Sequence, residues 1–450
     1  MNDTIAAIST TMGVGAIAIV RVSGNDSIAI VNKIFKGRDL SKVDSKSIIY
    51  GHIVDGEKNI IDEVLVTVMK APKTFTREDV VEINTHGGIA ITNKVLELLL
   101  LNGCRLAFPG EFTKRAFLNG RIDLIEAEGV MDLINSKTEK SRKLAINQVN
   151  GEVSKLIKSL RQEIIEILAN IEVNIDYPEY EDIEEMTNTL IFNSLAKIEK
   201  QITDILNKSK DSKIIKEGIK TIIIGSPNVG KSSILNRLLN EDKAIVTDIA
   251  GTTRDIVEGS IQIDGIVLNM IDTAGIRKTE DIVESIGVKK SLDLIDEADL
   301  ILYVMSNNEK ITNEQKEIIE KIKDKNSIFI VNKIDLENNL DTTVLPKYIE
   351  MSIKDDIGIN ELKSRIKEMF NLEKIEQSDF TYLSSARSIS LLKKSLNSLY
   401  AAREGIKNNM PVDVVEIDLK QIWSTLGEII GETYTDELID QLFSQFCLGK

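Results

Sequence analysis

Four stretches with different patterns of hydrophobic and polar residues follow one another along the chain. Residues 1–118 mix short apolar runs with glycine and proline, and the runs at 16–20 and 64–68 predict strands. The apolar spacing over 89–101 predicts a helix that ends at Asn102 and Gly103. This first stretch is therefore predicted to form an α+β domain.

Two further stretches, residues 119–215 and 374–450, have the spacing of amphipathic helices. In the first, an acidic break at 176–182 predicts a loop between helices. The apolar positions that carry the helical period in the two stretches are Leu156, Leu160, Ile164, Leu168 and Ile171, and then Leu438, Ile439, Leu442, Phe443 and Phe446. Both stretches are predicted to belong to one helical domain.

Between these helical stretches, residues 216–373 alternate short apolar runs with helical segments. The runs lie at 221–224, 267–271, 300–304 and 328–331. Continuous apolar runs of this length are typical of parallel strands that are covered on both faces. We therefore expect an α/β domain, with a parallel sheet and helices on both faces, inserted into the helical domain.

Composition narrows the class of protein. The 450 residues are 42% hydrophobic and 28% charged, which is ordinary for a folded chain and argues against extensive disorder. The net charge of −15 argues against coating nucleic acid by bulk charge, although it leaves room for a local basic site. Two cysteines and the lack of an apolar run of membrane-spanning length predict a cytoplasmic protein without a disulfide framework.

A phosphate-binding motif lies directly after the predicted strand at 221–224. Residues 225–232, here called the phosphate loop, have the sequence Gly-Ser-Pro-Asn-Val-Gly-Lys-Ser, which matches G-x-x-x-x-G-K-[ST]. In this motif backbone N–H groups surround phosphate oxygens. Lys231 is expected to bridge the β- and γ-phosphates, and Ser232 is expected to ligate Mg²⁺.

Three more segments follow in the order that a GTPase requires. Thr252 and Thr253, in the segment 248–255, can sense the γ-phosphate through Mg²⁺. Asp272, in the Asp-Thr-Ala-Gly segment 272–275, is placed for the Mg²⁺ shell. Asp335 closes the segment 332–335, here called the base loop, and its carboxylate can accept from both N–H groups on the edge of guanine. Together these segments predict a Ras-like GTP-binding domain.

The chain lacks the glutamine that orients water in Ras-like proteins, because Ile276 follows Gly275. Asn228 in the phosphate loop offers a spare carbonyl beside the β–γ bridge, where a monovalent cation could neutralise developing charge. The alternative is that Asn228 only tightens the turn. Glu284 could position water through a second water molecule, and its alternative is an ordinary solvated helix charge.

These motifs together resemble the tRNA modification GTPase family MnmE (TrmE). The segments that carry the resemblance are 20–24, 78–82, 86–88, 109–121, 225–232, 248–255 and the C-terminal tail Phe-Cys-Leu-Gly-Lys at 446–450. Leu448 replaces the isoleucine that is usual in the tail. Ser352, in the segment 351–354, is also expected to contact the base through its backbone.

The resemblance implies a potassium-dependent GTP hydrolase whose nucleotide domains pair face to face. It implies K⁺ ligation by Asn228, Thr247, Ile249 and Thr252, Mg²⁺ ligation by Ser232 and Thr253, and catalysis by Glu284, Lys231 and Thr253. The predicted GTP contacts are Asn228, Val229, Gly230, Lys231, Ser232, Ser233, Thr247, Asp248, Ile249, Ala250, Gly251, Thr252, Thr253, Asp272, Thr273, Ala274, Gly275, Asn332, Lys333 and Asp335.

For the rest of the chain, the resemblance implies a dimerising domain at 1–118 that binds a 5-formyltetrahydrofolate-type one-carbon donor. Its predicted folate contacts are Arg21, Glu82, Arg121 and Lys450. The GTPase domain at 216–373 would separate two helical parts at 119–215 and 374–450. The homodimer would form a heterotetramer with a flavin-dependent partner protein and install a carboxymethylaminomethyl-type group on the wobble uridine of certain tRNAs.

Two other functions are compatible with the phosphate loop alone. One is a ribosome-assembly or RNA-binding GTPase switch without one-carbon chemistry. The other is a GTP-binding scaffold without turnover. The first 118 residues and the C-terminal tail favour the tRNA modification enzyme over both.

Overall fold

The computed structural model describes residues 3–176, 181–241, 257–271, 294–372 and 380–449. The backbone contacts divide the chain into two compact units. The first contains the chain up to Met131, Gln148–Ile198 and the segment from Leu391 onwards, and the second contains Asp132–Asn147 and Glu199–Ser390. The predicted domain boundaries near 118, 215 and 373 stay predictions.

The N-terminal part of the first unit is a seven-stranded sheet with helices. Its elements are β1 (Ile5–Ile8), β2 (Ile17–Ser23), α1 (Ser27–Ile34), β3 (Phe35–Gly37), β4 (Ser47–Val54), β5 (Ile60–Met69), β6 (Val80–His86), α2 (Ile89–Leu101), β7 (Arg105–Leu106) and α3 (Glu111–Leu118). The strand order is β3-β4-β5-β6-β2-β1-β7, and only the β1–β7 pair is parallel. The predicted strands at 16–20 and 64–68 lie largely within β2 and within β5.

Strict alternation along β5 explains why one face of this sheet is buried. Val64, Val66 and Val68 are buried, whereas Glu63 and Leu65, which point the other way, are exposed. The buried valines pack with apolar side chains of α1 and α2, which include Val31, Val95 and Leu99. The other face therefore remains available for polar and functional side chains.

An ion network around a buried arginine connects α3 to the residues that precede β1 and β6. The Arg115 guanidinium is 1% exposed and donates to the Asp3 carboxylate at 2.8 Å and to Glu78 and Glu111 at 3.1 Å. Burial alone would raise the pKa of Glu111, but hydrogen bonds from Arg105, the Phe108 backbone and Arg115 lower it below its usual range. The network thus holds the ionised Glu111 carboxylate in the interior, while Asp3 at its edge is 44% exposed.

Four helices follow along the chain. They are α4 (Leu124–Asn135), α5 (Glu139–Val149), α6 (Glu152–Asp176) and α7 (Glu181–Glu217). Of the five apolar positions predicted to share a face in α6, Leu160, Ile164 and Ile171 are buried, whereas Leu156 is exposed and Leu168 is only partly buried. Of the predicted acidic loop at 176–182, residues 177–180 lie outside the described residues and the flanking ones end α6 and begin α7.

The second sheet lies in the second unit and has six strands among the described residues. Its elements are β8 (Ile219–Ile224), α8 (Lys231–Glu241), β9 (Val257–Ile263), β10 (Ile266–Ile271), β11 (Leu300–Ser306), α9 (Asn313–Ile322), β12 (Ser327–Asn332), β13 (Tyr348–Met351) and α10 (Ile359–Met369). The order is β13-β12-β11-β8-β10-β9. Every residue of β11 is buried, as the continuous apolar run predicts. The sheet is mixed rather than wholly parallel, because the edge strand β9 pairs antiparallel with β10.

Three helices complete the described chain: α11 (Ala386–Lys407), α12 (Val412–Ile430) and α13 (Asp436–Phe443). Within the first unit, α12 packs on α6. Ile439 and Phe443 of α13 are buried, as its period predicts, and Phe446 packs with them although it lies beyond the helix. Across the described ranges, no helix combines the length and apolar composition that a membrane span requires. The predicted multidomain architecture is confirmed.

The buried network makes Arg115 a stability determinant of the first unit. Arg115→Met should lower the free energy of unfolding by about 1–3 kcal/mol, because the buried Glu111 carboxylate loses one of its two arginine partners and keeps only Arg105. The loss should shrink as the pH falls below about 4, since a carboxylate with a lowered pKa stabilises the fold only while it is ionised. Urea unfolding followed by the fluorescence of Trp423, the single tryptophan, measures this effect.

Lys155→Met, in the same unit as Arg115 and Trp423, is the control for this substitution. Lys155 forms an exposed ion pair with Glu152 one helical turn away, and such pairs are screened by solvent. Its removal should leave the unfolding transition unchanged. Equal losses in the two variants would contradict a special role for the buried network.

Candidate functional site

The phosphate loop connects β8 to α8 and has a backbone that only some residues can adopt. Gly230 has a φ of +97°, and a Cβ atom there would lie 2.2 Å from Nδ2 of Asn332. Asn228 has a φ of +59°, a left-handed conformation that asparagine tolerates better than most side chains. The loop is thus closely fitted to its neighbours before any ligand is considered.

The lysine of this loop holds it closed from within. Nζ of Lys231 donates to the carbonyl oxygens of Gly225 and Ser226, both at 2.7 Å. By contrast, the exposed side chains of Asn228 and Ser232 have no hydrogen-bond partner among the described residues. Their oxygen atoms are therefore open to a ligand.

The base loop begins where β12 ends and is bonded to the phosphate loop. Nδ2 of Asn332 donates to the carbonyl oxygen of Val229 at 2.8 Å, and the Asn332 side chain is almost fully buried. Among the described residues, Oδ1 of Asn332 is buried without a hydrogen-bond partner. An unpaired buried acceptor is costly, so this atom has capacity for one more donor.

Asp335 is held in place by the segment after β13. Oγ of Ser352 lies 3.1 Å from a carboxylate oxygen of Asp335, and Nζ of Lys354 lies 3.9 Å from the other oxygen. In this structure the N–H of Ser352 donates to the carbonyl oxygen of Ile357, and its predicted contact with a base stays a prediction. The Ser352 hydroxyl lies between two carboxylates, at 3.1 Å from Asp335 and at 3.1 Å from Asp355.

Several predicted residues lie outside the described residues. They are Thr247, Asp248, Ile249, Ala250, Gly251, Thr252, Thr253, Asp272, Thr273, Ala274, Gly275, Glu284 and Lys450. The predicted roles of these residues stay predictions. The structure does bring together the predicted residues of the phosphate and base loops.

A second cluster lies on the N-terminal sheet. Arg21 of β2 is directly opposite Glu82 of β6, and the guanidinium Nε donates to the carboxylate at 2.9 Å. Nη1 of Arg21 also donates to the carbonyl oxygen of Gly449 at 3.4 Å. Gly449 has a φ of +84° and lies against the backbone of Ile8, where a Cβ atom would come within 2.3 Å. The residue next to Lys450 is therefore held beside the Arg21–Glu82 pair.

Arg121 approaches the same region through aromatic side chains. Its guanidinium carbon lies 4.8 Å from the ring centroid of Phe75, and that of Arg21 lies 5.7 Å from the ring of Phe112. Phe75 and Phe112 belong to one apolar cluster. Each arginine thus lies over a ring of the same apolar cluster, at a distance typical of a cation–π contact.

Sequence reasoning assigned no role to Phe75 or to the side chain of Gln315. Phe75 lies in an irregular segment, and its contact with Arg121 joins residues that are far apart in the chain. Gln315 lies in α9 and reaches Ser226 of the phosphate loop, 89 residues away. The segment 312–315 has the pattern of a helix N-cap, and that was the only available signal for Gln315.

Comparison with known proteins covers almost the whole chain. The family model for the N-terminus of the GTP-binding protein TrmE matches residues 4–121, and the model for the MnmE helical domain matches residues 124–447. The chain belongs to the MnmE (TrmE) family of tRNA modification GTPases. This membership confirms the predicted family and the predicted enzyme class, a GTP hydrolase.

Two relatives in the MnmE family show how far the similarity extends. The tRNA modification GTPase MnmE of Streptococcus gordonii is 54% identical over 452 residues, which cover 100% of this chain and 99% of that protein. The tRNA modification GTPase MnmE of Bacillus cytotoxicus is 55% identical over 455 residues, with the same coverage. The similarity therefore includes the N-terminal sheet, the helices and the nucleotide-binding unit.

Gly230 offers a direct test of the contact between the two nucleotide loops. Gly230→Ala places a Cβ atom against Asn332 and should displace the hydrogen bond to Val229, so the affinity for GDP and GTP should fall more than about tenfold. Equilibrium titration with a fluorescent guanine nucleotide measures the change.

Gly259→Ala is the control in the same unit, because a Cβ atom at Gly259 meets nothing within 4 Å. This variant should bind nucleotide like the unmodified chain. Unchanged affinity of Gly230→Ala would show that the tight fit against Asn332 does not matter for binding.

Proposed function

We propose that this chain is a potassium-dependent GTP hydrolase that acts with a flavin-dependent partner protein. Together they would install a 5-carboxymethylaminomethyl-type group on the wobble uridine of certain tRNAs, with a formyltetrahydrofolate-type one-carbon donor. The observation that supports this most strongly is the full-length similarity to MnmE proteins, which extends beyond the nucleotide-binding unit to the N-terminal sheet. We also propose a cytoplasmic homodimer that forms through the N-terminal domain.

The described loops support guanine nucleotide binding by the second unit. Asp335, which is fixed by Ser352, has a carboxylate that can accept from the N–H groups of guanine. Lys231, which now bonds to the carbonyls of its own loop, would turn to the β- and γ-phosphates. Gly230 allows the loop backbone to approach Asn332 closely.

The donors in the phosphate loop fit the proposed ions. Hard cations prefer oxygen ligands, and the hydroxyl of Ser232 and the amide carbonyl of Asn228 are both open to solvent. When bound, Mg²⁺ and K⁺ would neutralise charge on the phosphates. Thr247, Ile249 and Thr252 are proposed as further K⁺ ligands, Thr253 as a further Mg²⁺ ligand, and Glu284 as the residue that positions water.

The Arg21–Glu82 pair has the chemistry that a folate requires. The two side chains are 23% and 21% exposed, so they are neither buried in the core nor fully solvated. A carboxylate can accept from pterin N–H groups, and an arginine can pair with the carboxylates of the glutamate tail. Phe75, which is only partly buried and lies under Arg121, offers apolar surface beside these charges. We propose Arg21, Glu82, Arg121 and Lys450 as folate contacts.

Substitution of Asn228 tests whether this side chain ligates the potassium ion or only tightens the turn of the phosphate loop. Asn228→Gly keeps the left-handed backbone but removes the carbonyl, so it should lower the potassium stimulation of GTP hydrolysis by about tenfold or more and leave GTP binding intact. Asn228→Asp is the control: its added charge should weaken GTP binding, but at saturating GTP it should keep a potassium response because it retains an oxygen ligand. Phosphate release in potassium and in sodium buffers measures both variants.

If Asn228→Gly kept the full potassium response, its role as an ion ligand would be wrong. If the unmodified chain cleaved GTP equally fast in both buffers, potassium dependence itself would be wrong. Negligible cleavage in potassium would favour a binding scaffold.

Calorimetry with 5-formyltetrahydrofolate tests the one-carbon chemistry. The unmodified chain should bind this folate, and Glu82→Gln should weaken binding by about tenfold, because a neutral amide loses a charge-assisted acceptor. Glu63→Gln, on the exposed face of β5, is the control and should bind normally.

Wobble nucleosides from cells that lack the protein complete this test. Mass spectrometry should show that the carboxymethylaminomethyl-type group is missing. Normal nucleosides, together with no folate binding, would instead favour a ribosome-assembly GTPase switch.

A further inference from the structure

The N-terminus of α9 is joined to the phosphate loop through one side chain. Thr312 is the N-cap of α9, and its Oγ1 accepts from the N–H of Gln315 at 3.2 Å. In return, Oε1 of Gln315 accepts from the N–H of Thr312 at 2.8 Å. This reciprocal arrangement is a capping box, which fixes the Gln315 side chain at the start of the helix.

The amide nitrogen of Gln315 forms a hydrogen bond outside the helix. Nε2 donates to Oγ of Ser226, the second residue of the phosphate loop, at 2.9 Å. The side chain is 8% exposed, so water competes little for this hydrogen bond. A capping box needs only an acceptor at this position, and glutamate serves as well as glutamine. The amide supplies the additional N–H that reaches the loop.

Contacts from two other elements bracket the exposed part of the phosphate loop. Gln315 holds Ser226 on one side, and Asn332 holds the carbonyl oxygen of Val229 on the other. Only Pro227 and Asn228 lie between these two positions, and both are exposed. The residues on both sides of this exposed pair are therefore held by other elements.

We propose that Gln315 is a positioning residue for nucleotide binding, which holds Ser226 in place when Lys231 turns from the loop carbonyls to the phosphates. At present Lys231 and Gln315 both bond to Ser226, one to its carbonyl and the other to its hydroxyl. Once Lys231 engages a nucleotide, the contact from Gln315 remains. The proposal rests on nucleotide binding by the phosphate loop and is independent of potassium and folate.

A double-mutant cycle tests the proposal in the full chain. Ser226→Ala removes the loop hydroxyl and leaves the capping box intact, whereas Gln315→Met keeps the length of the side chain without its amide. Each should weaken GDP and GTP binding by about two- to tenfold, with KM for GTP rising and kcat nearly constant. The double variant should bind nucleotide about as tightly as whichever single variant binds less tightly, because both substitutions remove the same contact.

Thr312→Ala separates this role from helix stability. It removes the capping hydroxyl and should lower the melting temperature, while nucleotide affinity stays normal because the Gln315–Ser226 contact remains. Thermal unfolding and nucleotide titration are measured on all four variants.

Unchanged affinity in Ser226→Ala would overturn the proposal, and so would fully additive losses in the double variant. If Gln315→Met did not fold, Ser226→Ala alone would decide. Hydrolysis by the unmodified chain and its response to potassium are unaffected by any of these outcomes.

Discussion

The hydrogen bond from Asn332 to the carbonyl oxygen of Val229 is the interaction on which the nucleotide-binding unit depends. It joins the end of β12 to the loop after β8, two strands that are not neighbours in the sheet. The sheet brings the two loops to the same edge, as parallel strands require, but it does not fix their separation. Asn332 fixes it, and the close approach at Gly230 leaves no room for another arrangement.

The ion pairs of the first unit fall into two kinds, which differ in how far their side chains are exposed to solvent. The Arg115 side chain is 1% exposed and is bonded to three carboxylates, so we assign it a structural role. The Arg21–Glu82 pair is about one-fifth exposed and lies on the side of the sheet opposite the buried valines. Similar chemistry therefore serves stability at one place and is available for recognition at the other.

The sequence predicts those parts of the molecule that depend on short-range patterns. Helix α2 has the predicted bounds, and the phosphate loop lies between a strand and a helix as its motif requires. In α6 the predicted positions Leu156 and Leu168 lie off the buried face, because the neighbouring Ile157 and Ile167 are equally apolar and only packing selects between them. The antiparallel edge strand β9 was missed because polar residues and a glycine interrupt its apolar positions, so it has no continuous apolar run.

Contacts between distant residues were beyond sequence reasoning for a different reason. The pairing of Arg21 with Glu82 depends on the register of β2 and β6, which neither strand specifies alone. The family resemblance implies that both residues contact a folate, but it does not give the distance between their side chains. Gln315 had no motif of its own beyond the helix cap, and its contact with Ser226 follows only from the way α9 is placed beside β8.

Both side chains that hold the phosphate loop from outside, Asn332 and Gln315, are neutral amides. A carboxylate at either position would add negative charge beside a site that must accept phosphates, and this repulsion would weaken binding. An ammonium or guanidinium group there would compete with Lys231 for the same oxygens. An amide supplies a directed N–H without net charge, so the loop can be held rigidly while Lys231 and the bound ions determine the electrostatics of the site.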